Sequence, residues 1–176
     1  HIKVDTGMGR IGIRPDETGL EIVQEIAKLP GLVIEGIFTH FAKADEKDKA
    51  YTHDQFGKFT KFSAQAEEAI GQKIPLHHCA NSAGIVELPQ MHLNMVRAGI
   101  TLYGLWPSED VARDALELKP AMSLKSRVIF VKQLRKGEAV SYGGRYVADS
   151  ERMVATVPVG YGDGYPRGLS GKGDVL

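Results

Sequence analysis

Hydrophobic and polar positions fall into two regimes along the chain. The opening HIKVDTGMGRIG alternates apolar positions as a strand does, then turns on Gly7 and Gly9. RPDETGLEIVQEIAKLPG sets Leu20, Val23 and Ala27 near Ile22, Ile26 and Leu29, a helical stripe that stops at Pro30-Gly31. LVIEGIFTHF is apolar or β-branched at nearly every position, which predicts a strand covered on both faces, as in a parallel sheet. From about Asp48 to Ile70, Phe56, Phe59, Phe62 or Ser63, and Ala66 recur at helical spacing and predict a second helix. IPLHHCANS then predicts a short strand ending in a polar cluster, NSAGIVEL a brief helix, and LNMVRAGITLYGL a return to strand. Strands alternating with helices of crossover length predict a parallel sheet built from βαβ units.

From about Lys119 the pattern changes. PAMSLKSRVIFVKQLRKGEAVSYGGRYVA and ERMVATVPVGYGDG offer strands with no helix between them, joined by short turns such as RKGE. An antiparallel β region therefore follows the α/β region, with WPSEDVARDALELKP as linker, and the expected division is 1–118 and 119–176. The parallel strands end in DTG, THF, CANS and RAGI, polar residues at the strand C-termini where α/β proteins build their sites. An arc of four such strands is half of an eight-stranded barrel, and its open edges would leave backbone groups unpaired. The expectation is a fragment, or a chain completed by another piece; His1, standing almost inside a strand, points the same way.

Composition narrows the function without choosing it. The 176 residues suit one large domain or pieces of two. Lys plus Arg equals Asp plus Glu at 22 each, so the chain presents no basic field for nucleic acid or anionic lipid. The single cysteine, Cys79, cannot form an internal disulfide and fits a reducing compartment. No stretch approaches the ~18 apolar residues of a membrane span and no signal-peptide pattern is present, so the cytoplasm is the default location and no membrane partner is expected.

The polar residues leave alternatives open when each is taken alone. Glycines just past a strand can bring amides onto a phosphate. Gly7 and Gly9, however, lack the spacing of a phosphate loop, and Arg10 to Ile13 continue extended before Pro15; the alternative is a turn whose glycines supply positive φ, with Arg10 solvated. Ser82 reads as a helix N-cap ahead of AGIVEL, His40 as a satisfied histidine at a strand end, Arg97 as a surface charge, and Tyr161 as a strand-end aromatic in a glycine-rich turn. His77 and His78 are adjacent, so they point to opposite faces, and no cysteine or carboxylate stands at ligand spacing; no metal site is expected. Cys79 has no base placed for it and reads as packing.

Together, KVDTGMGRIG, THFAKADE, HCANSAG, MVRAGITLYGL, GEAVSYGGRY and VPVGYGDGYPR, in this order and approximate spacing, resemble the alanine racemase family. These are pyridoxal 5′-phosphate (PLP) enzymes with an N-terminal (β/α)8 TIM barrel and a C-terminal β domain. The resemblance covers essentially the whole chain, sets its start at about the fifth barrel strand, and implies the C-terminal half of the barrel followed by the start of an antiparallel β domain. It implies interconversion of L- and D-alanine by two bases in a homodimer.

By resemblance, Ser82, Gly99 and Ile100 hold the PLP phosphate, in the loops after strands seven and eight where barrels often bind phosphate; Asn81 joins them among the cofactor-binding residues. Arg97 matches an arginine that bonds the pyridine nitrogen, and because arginine only donates, that nitrogen stays unprotonated. Arg10 reaches the phenolic oxygen of PLP, so the glycine turn presents a side chain rather than a phosphate cradle, and Lys3 matches a lysine that is often carbamylated and paired with that arginine. Tyr142 matches the second base, acting in the partner subunit's site and linked through His40 to Arg97, because an unperturbed tyrosine titrates near 10 and needs charged neighbours to serve as a base. Tyr161 matches a residue lining the substrate entry. The lysine that carries PLP, a second phosphate-binding tyrosine and a substrate-binding methionine have no counterpart in the sequence, so the isolated chain is expected to be inactive. The nearest alternative is another PLP barrel enzyme, such as a broader-range racemase or a decarboxylase; a single-barrel PLP carrier is disfavoured by the β region from Lys119.

Overall fold

The parallel sheet expected at the start of the chain is present in the computed structural model, which describes residues 1–175. Strands β1 (Ile2–Lys3), β2 (Gly36–Phe38) and β3 (Leu76–His78) lie side by side in that order. Register sorts their side chains into two rows. Ile2, Ile37 and His77 pair across one face, and Lys3, Phe38 and His78 across the other.

Helix α1 (Glu17–Lys28) begins where Asp16 accepts the Gly19 amide at 3.0 Å, and it carries Glu17 in its first turn and Lys28 in its last, matching the helix dipole at both ends. Helix α2 (Ala50–Ile70) ends on Gly71, whose φ of 67° returns its amide to the last turn. The two helices pack together, and Val23, Phe59, Phe62 and Ala66 join Ile37, Val4 and Ile74 in one buried cluster. His77 faces this helical layer, bonding Glu67 at 3.1 Å beside the Phe59 ring, which leaves the Lys3–Phe38–His78 row to the opposite side.

Two strand expectations fail. In LVIEGIFTHF only Gly36–Phe38 pair, and Val33 is 87% exposed, so the run is not covered along its length. LNMVRAGITLYGL is not a strand: beyond the short helix α3 (Ser82–Glu87) and a turn at Leu93 (φ 53°), it runs as irregular chain into a single 3-10 turn, Ile100–Tyr103. The reason is Asn94. Its side chain accepts the His77 amide at 2.7 Å and donates to the Pro75 carbonyl at 2.7 Å, so a side chain occupies the groups a fourth strand would pair with; further along, the Arg97 amide reaches the Ala80 carbonyl at 3.0 Å. The sheet therefore has three strands rather than four.

The chain divides into two compact units, His1–Met122 and Ser123–Leu176. In the second, β4 (Phe130–Leu134) pairs antiparallel with β7 (Arg152–Thr156), and β5 (Ala139–Val140) with β6 (Tyr146–Val147). The RKGE turn closes as expected, with the Glu138 amide on the Arg135 carbonyl at 3.1 Å. Among the described residues no helix is long and apolar enough to cross a membrane.

Candidate active site

The sheet face bearing Lys3, Phe38 and His78 is organised by Arg97. Its guanidinium lies 5.2 Å from the centre of the Phe38 ring, which also stacks on the His78 ring at 4.8 Å. Nη1 donates to His78 Nδ1 at 2.7 Å; Nη2 donates to the Thr39 carbonyl at 2.8 Å and lies 3.3 Å from His40 Nδ1. Because a guanidinium offers no acceptor, both histidines must receive on Nδ1 and carry their proton on Nε2. His78 Nε2 in turn meets His1 Nδ1 at 2.9 Å. Burial first, and then the Arg97 charge, push His78 down to about 4; His40 is lowered by the same two causes in the same order, with Arg10 and Lys3 adding to them. Both imidazoles are neutral at pH 7, and His40 has an Nε2–H to donate outward.

The opening glycine turn is internally satisfied. Asp5 Oδ1 accepts the amides of Gly7 at 3.1 Å and Gly9 at 3.0 Å, and the backbone folds back so that Ile13 bonds Lys3 and Asp5 beside Val4. These amides already hold a carboxylate, which bars a phosphate from the same turn. Arg10 projects from it, exposed. Lys3 Nζ donates to the Val4 carbonyl at 2.8 Å and lies 5.6 Å from the Phe38 ring centre; its pKa is lowered, chiefly by burial, with Arg97 and Arg10 adding to it and Asp5 opposing. Lys3, Arg10 and Arg97 make this a cationic surface, suited to an anionic occupant.

Ser82 is not the helix cap. Asn81 caps α3, accepting the Gly84 amide at 3.0 Å while its Nδ2 donates to the Phe41 carbonyl at 3.3 Å; Ser82 is the first helical residue. Ser82 Oγ receives the Gly99 amide at 2.9 Å and the Thr101 hydroxyl at 3.1 Å. With the Thr101 amide also reaching it at 3.4 Å, the oxygen's lone pairs are taken, so the Ser82 O–H is left to donate elsewhere. The Ile100 amide, next along, has no protein acceptor among the described residues. A hydroxyl and an amide free to donate, in a region of positive charge, fit a phosphate.

The tyrosines lie in the second unit. Tyr142 is 91% exposed, on a short 3-10 turn between Ser141 (φ 60°) and Gly143 (φ 72°). Ser141, a non-glycine residue at positive φ, is strained. Tyr161 is also exposed, with the Arg167 guanidinium 5.6 Å from its ring centre. Cys79 is buried, with Sγ on the Met91 carbonyl at 3.1 Å and its thiol pushed up to about 12, chiefly by burial.

The structure thus brings Lys3, His40 and Arg97 onto one face and Asn81, Ser82, Gly99 and Ile100 into one cradle. It also brings in residues the sequence reading did not assign: Asp5, Thr6, Thr39, Gln55 and His78. Only His78 carried a signal, in that an adjacent histidine pair on a strand must send one ring to each face.

The geometry has relatives. The alanine racemase N-terminal domain family matches residues 1–107, and the alanine racemase C-terminal domain family matches 121–176. Alanine racemases of Desulforamulus reducens and Clostridium perfringens are 53% and 52% identical over the whole chain, which spans 47% and 45% of their lengths. The alanine racemase of Clostridium difficile 630 superposes with a TM-score of 0.84 at 48% identity, over 95% of this chain and 44% of its own. That of E. faecalis gives 0.83 at 42% identity, over 98% and 45%. The chain spans about half the length of the curated relatives it matches, and over that span, α/β followed by β, it belongs to the alanine racemase family.

Proposed function

We propose that the whole protein interconverts L- and D-alanine with PLP, and that this chain supplies the C-terminal half of its (β/α)8 barrel and the start of its β domain, over 1–118 and 119–176. The observation that carries the reading is the Arg97 guanidinium, which faces a neutral His40 on one side and a neutral His78 on the other. PLP, when bound, supplies an electron-withdrawing ring that acidifies the substrate α-carbon. The chain's own residues then have separable tasks. The Ser82 hydroxyl and the Ile100 amide hold the phosphate, the Gly99 amide joins them by turning from Ser82 Oγ, and Asn81 fixes the start of α3. Arg97 donates to the ring nitrogen and, having no proton to release, keeps it unprotonated. That limits the lifetime of charge on the ring and with it side reactions such as transamination.

Arg10 bonds the phenolic oxygen. Lys3, whose buried amine is easier to deprotonate than an exposed one, is suited to adding carbon dioxide, losing a proton and forming a carbamate that braces Arg10. Tyr142 acts in the partner subunit's site of a homodimer, where His40 Nε2–H stabilises its phenolate and makes it a base near neutral pH. Tyr161 lines the entry to that site.

The test uses the whole protein with PLP, following D-alanine formed from L-alanine. Tyr142→Phe is expected to lower interconversion by about 10²–10⁴-fold while PLP stays bound, and to leave exchange of the α-hydrogen with deuterated water intact for one enantiomer only. Release of carbon dioxide in place of inversion would sink the racemase reading, and equal loss of exchange for both enantiomers would sink the role of Tyr142.

A further inference from the structure

Gln55 lies inside the apolar stripe of α2 with no exposed surface, and its amide is fully engaged. Oε1 accepts the Ala42 amide at 2.8 Å, while Nε2 donates to Thr6 Oγ1 at 3.2 Å and to the His40 carbonyl at 3.1 Å. Both N–H groups and the oxygen have partners, which is what a buried glutamine requires. The chain of bonds continues in one direction. Thr6 and Thr39 hydroxyls meet at 2.7 Å, and Thr39 Oγ1 donates to the Val4 carbonyl at 2.9 Å. A carbonyl only accepts, so Thr39 must receive from Thr6, and Thr6 from Gln55. The Thr39 carbonyl is also the closest acceptor of Arg97 Nη2. One turn before Gln55, the Tyr51 hydroxyl donates to the Gly7 carbonyl at 2.8 Å. A Cβ on Gly7, where φ is 140°, would lie 2.5 Å from that hydroxyl oxygen.

We infer that Gln55 is a positioning residue that, with Tyr51, clamps the Arg10 loop and the His40 loop to α2 and so sets the Arg97–His40 contact. The inference rests on the site reading above but reaches a residue that touches neither substrate nor cofactor. Gln55 holds two loops of the site through fixed hydrogen bonds, and a displacement of about 1 Å in such a site costs about 10²-fold in rate. Gln55→Leu leaves the Ala42 amide and the His40 carbonyl without partners and takes from the Thr6 hydroxyl the bond it accepts, leaving it only its bond to Thr39. Gln55→Glu restores the shape, but as a carboxylate it has no donor; only the protonated carboxyl regains one, and burial raises its pKa.

In the whole enzyme with saturating PLP, Gln55→Leu is expected to lower kcat by roughly tenfold or more with KM for alanine little changed. Gln55→Glu is expected to recover relative to wild type as pH falls from about 8.5 to about 6.5, while the Leu variant stays at a constant fraction of wild type. A readout free of turnover accompanies these: in the PLP-free protein the His40 ring, whose pKa is held below the ordinary 6.5, should titrate higher in Gln55→Leu than in wild type, as burial and the Arg97 charge relax. Tyr51→Phe, at a partly exposed site, removes one clamp bond and should give a smaller drop in kcat. A wild type that does not racemise alanine overturns the function but leaves the titration to judge the clamp. A folded Gln55→Leu with wild-type kcat, a Glu variant whose ratio to wild type ignores pH, or an unmoved His40 midpoint overturns the clamp itself.

Discussion

The proton on His78 is placed by its neighbour: Arg97 can only donate, so His78 Nδ1 accepts and the ring stays neutral. The consequence is a pH dependence of stability. The folded-state pKa, about 4, lies below the ordinary 6.5, so the unfolded chain takes up the proton first as pH falls. The stabilisation is present above about 6.5 and is lost as pH drops toward 4, with His40 contributing in the same direction. Histidine NMR titration should place the His78 midpoint near 4, and the urea midpoint should fall across the same window, less steeply in His78→Gln. A midpoint near 6.5 would show that Arg97 and burial do not act on this ring. Little of this was legible in the sequence. Adjacency put His77 and His78 on opposite faces, but Arg97 lies 19 residues on, and no local spacing joins the two. Thr39 and Gln55 were hidden for the opposite reason, since a polar residue inside an apolar run reads as an interruption until its partners are seen.

Helices were legible along their length, whereas the parallel strands were legible in place but not in extent, because a helix writes its contacts at fixed sequence intervals and a parallel strand does not. The stripe of Phe59, Phe62 and Ala66 marked the buried face of α2, and the same three residues are in the core. The expected fourth strand was lost to a single side chain, Asn94, whose amide substitutes for a ladder. The other asparagine of consequence, Asn81, starts α3 and thereby places Ser82. Asn81→Ala should cost about 0.5–2 kcal/mol of stability through loss of the cap. It should also weaken phosphate retention, because a frayed first turn moves the Ser82 hydroxyl. Asn81→Asp keeps the acceptor for the Gly84 amide and should restore the cap, while giving up the bond to Phe41. Urea melts and inorganic phosphate titrations of the three proteins check this; equal phosphate affinity in all three would separate the cap from the cradle.

At the scale of the whole chain, the two regimes in the sequence correspond to two units of unequal burial. The first has a continuous core from Ile2 to Val111, whereas in the second the β4–β7 ribbon leaves Ile129, Phe130, Val131 and Met153 mostly exposed, with Leu134 and Ala148 buried. A two-stranded ribbon with so little covered is marginal in water, since backbone bonds alone do not offset the entropy of ordering it. The sequence could announce antiparallel strands there, because alternation and turn residues are local, but not that their apolar faces stay uncovered over this span. Local stability should therefore differ along the chain. Amide hydrogen exchange of the 176-residue chain should protect Val4 and Thr39, which bond Phe38 and His78 across the parallel sheet, by at least about tenfold more than Ile129, which bonds Thr156 in the ribbon. In the whole protein, where relatives have roughly twice this length, the Ile129 amide should gain protection and a dye that binds exposed apolar surface should lose fluorescence. Equal protection of the three amides in the isolated chain would mean that the ribbon opens only with the sheet, and that its exposed residues add no local weakness.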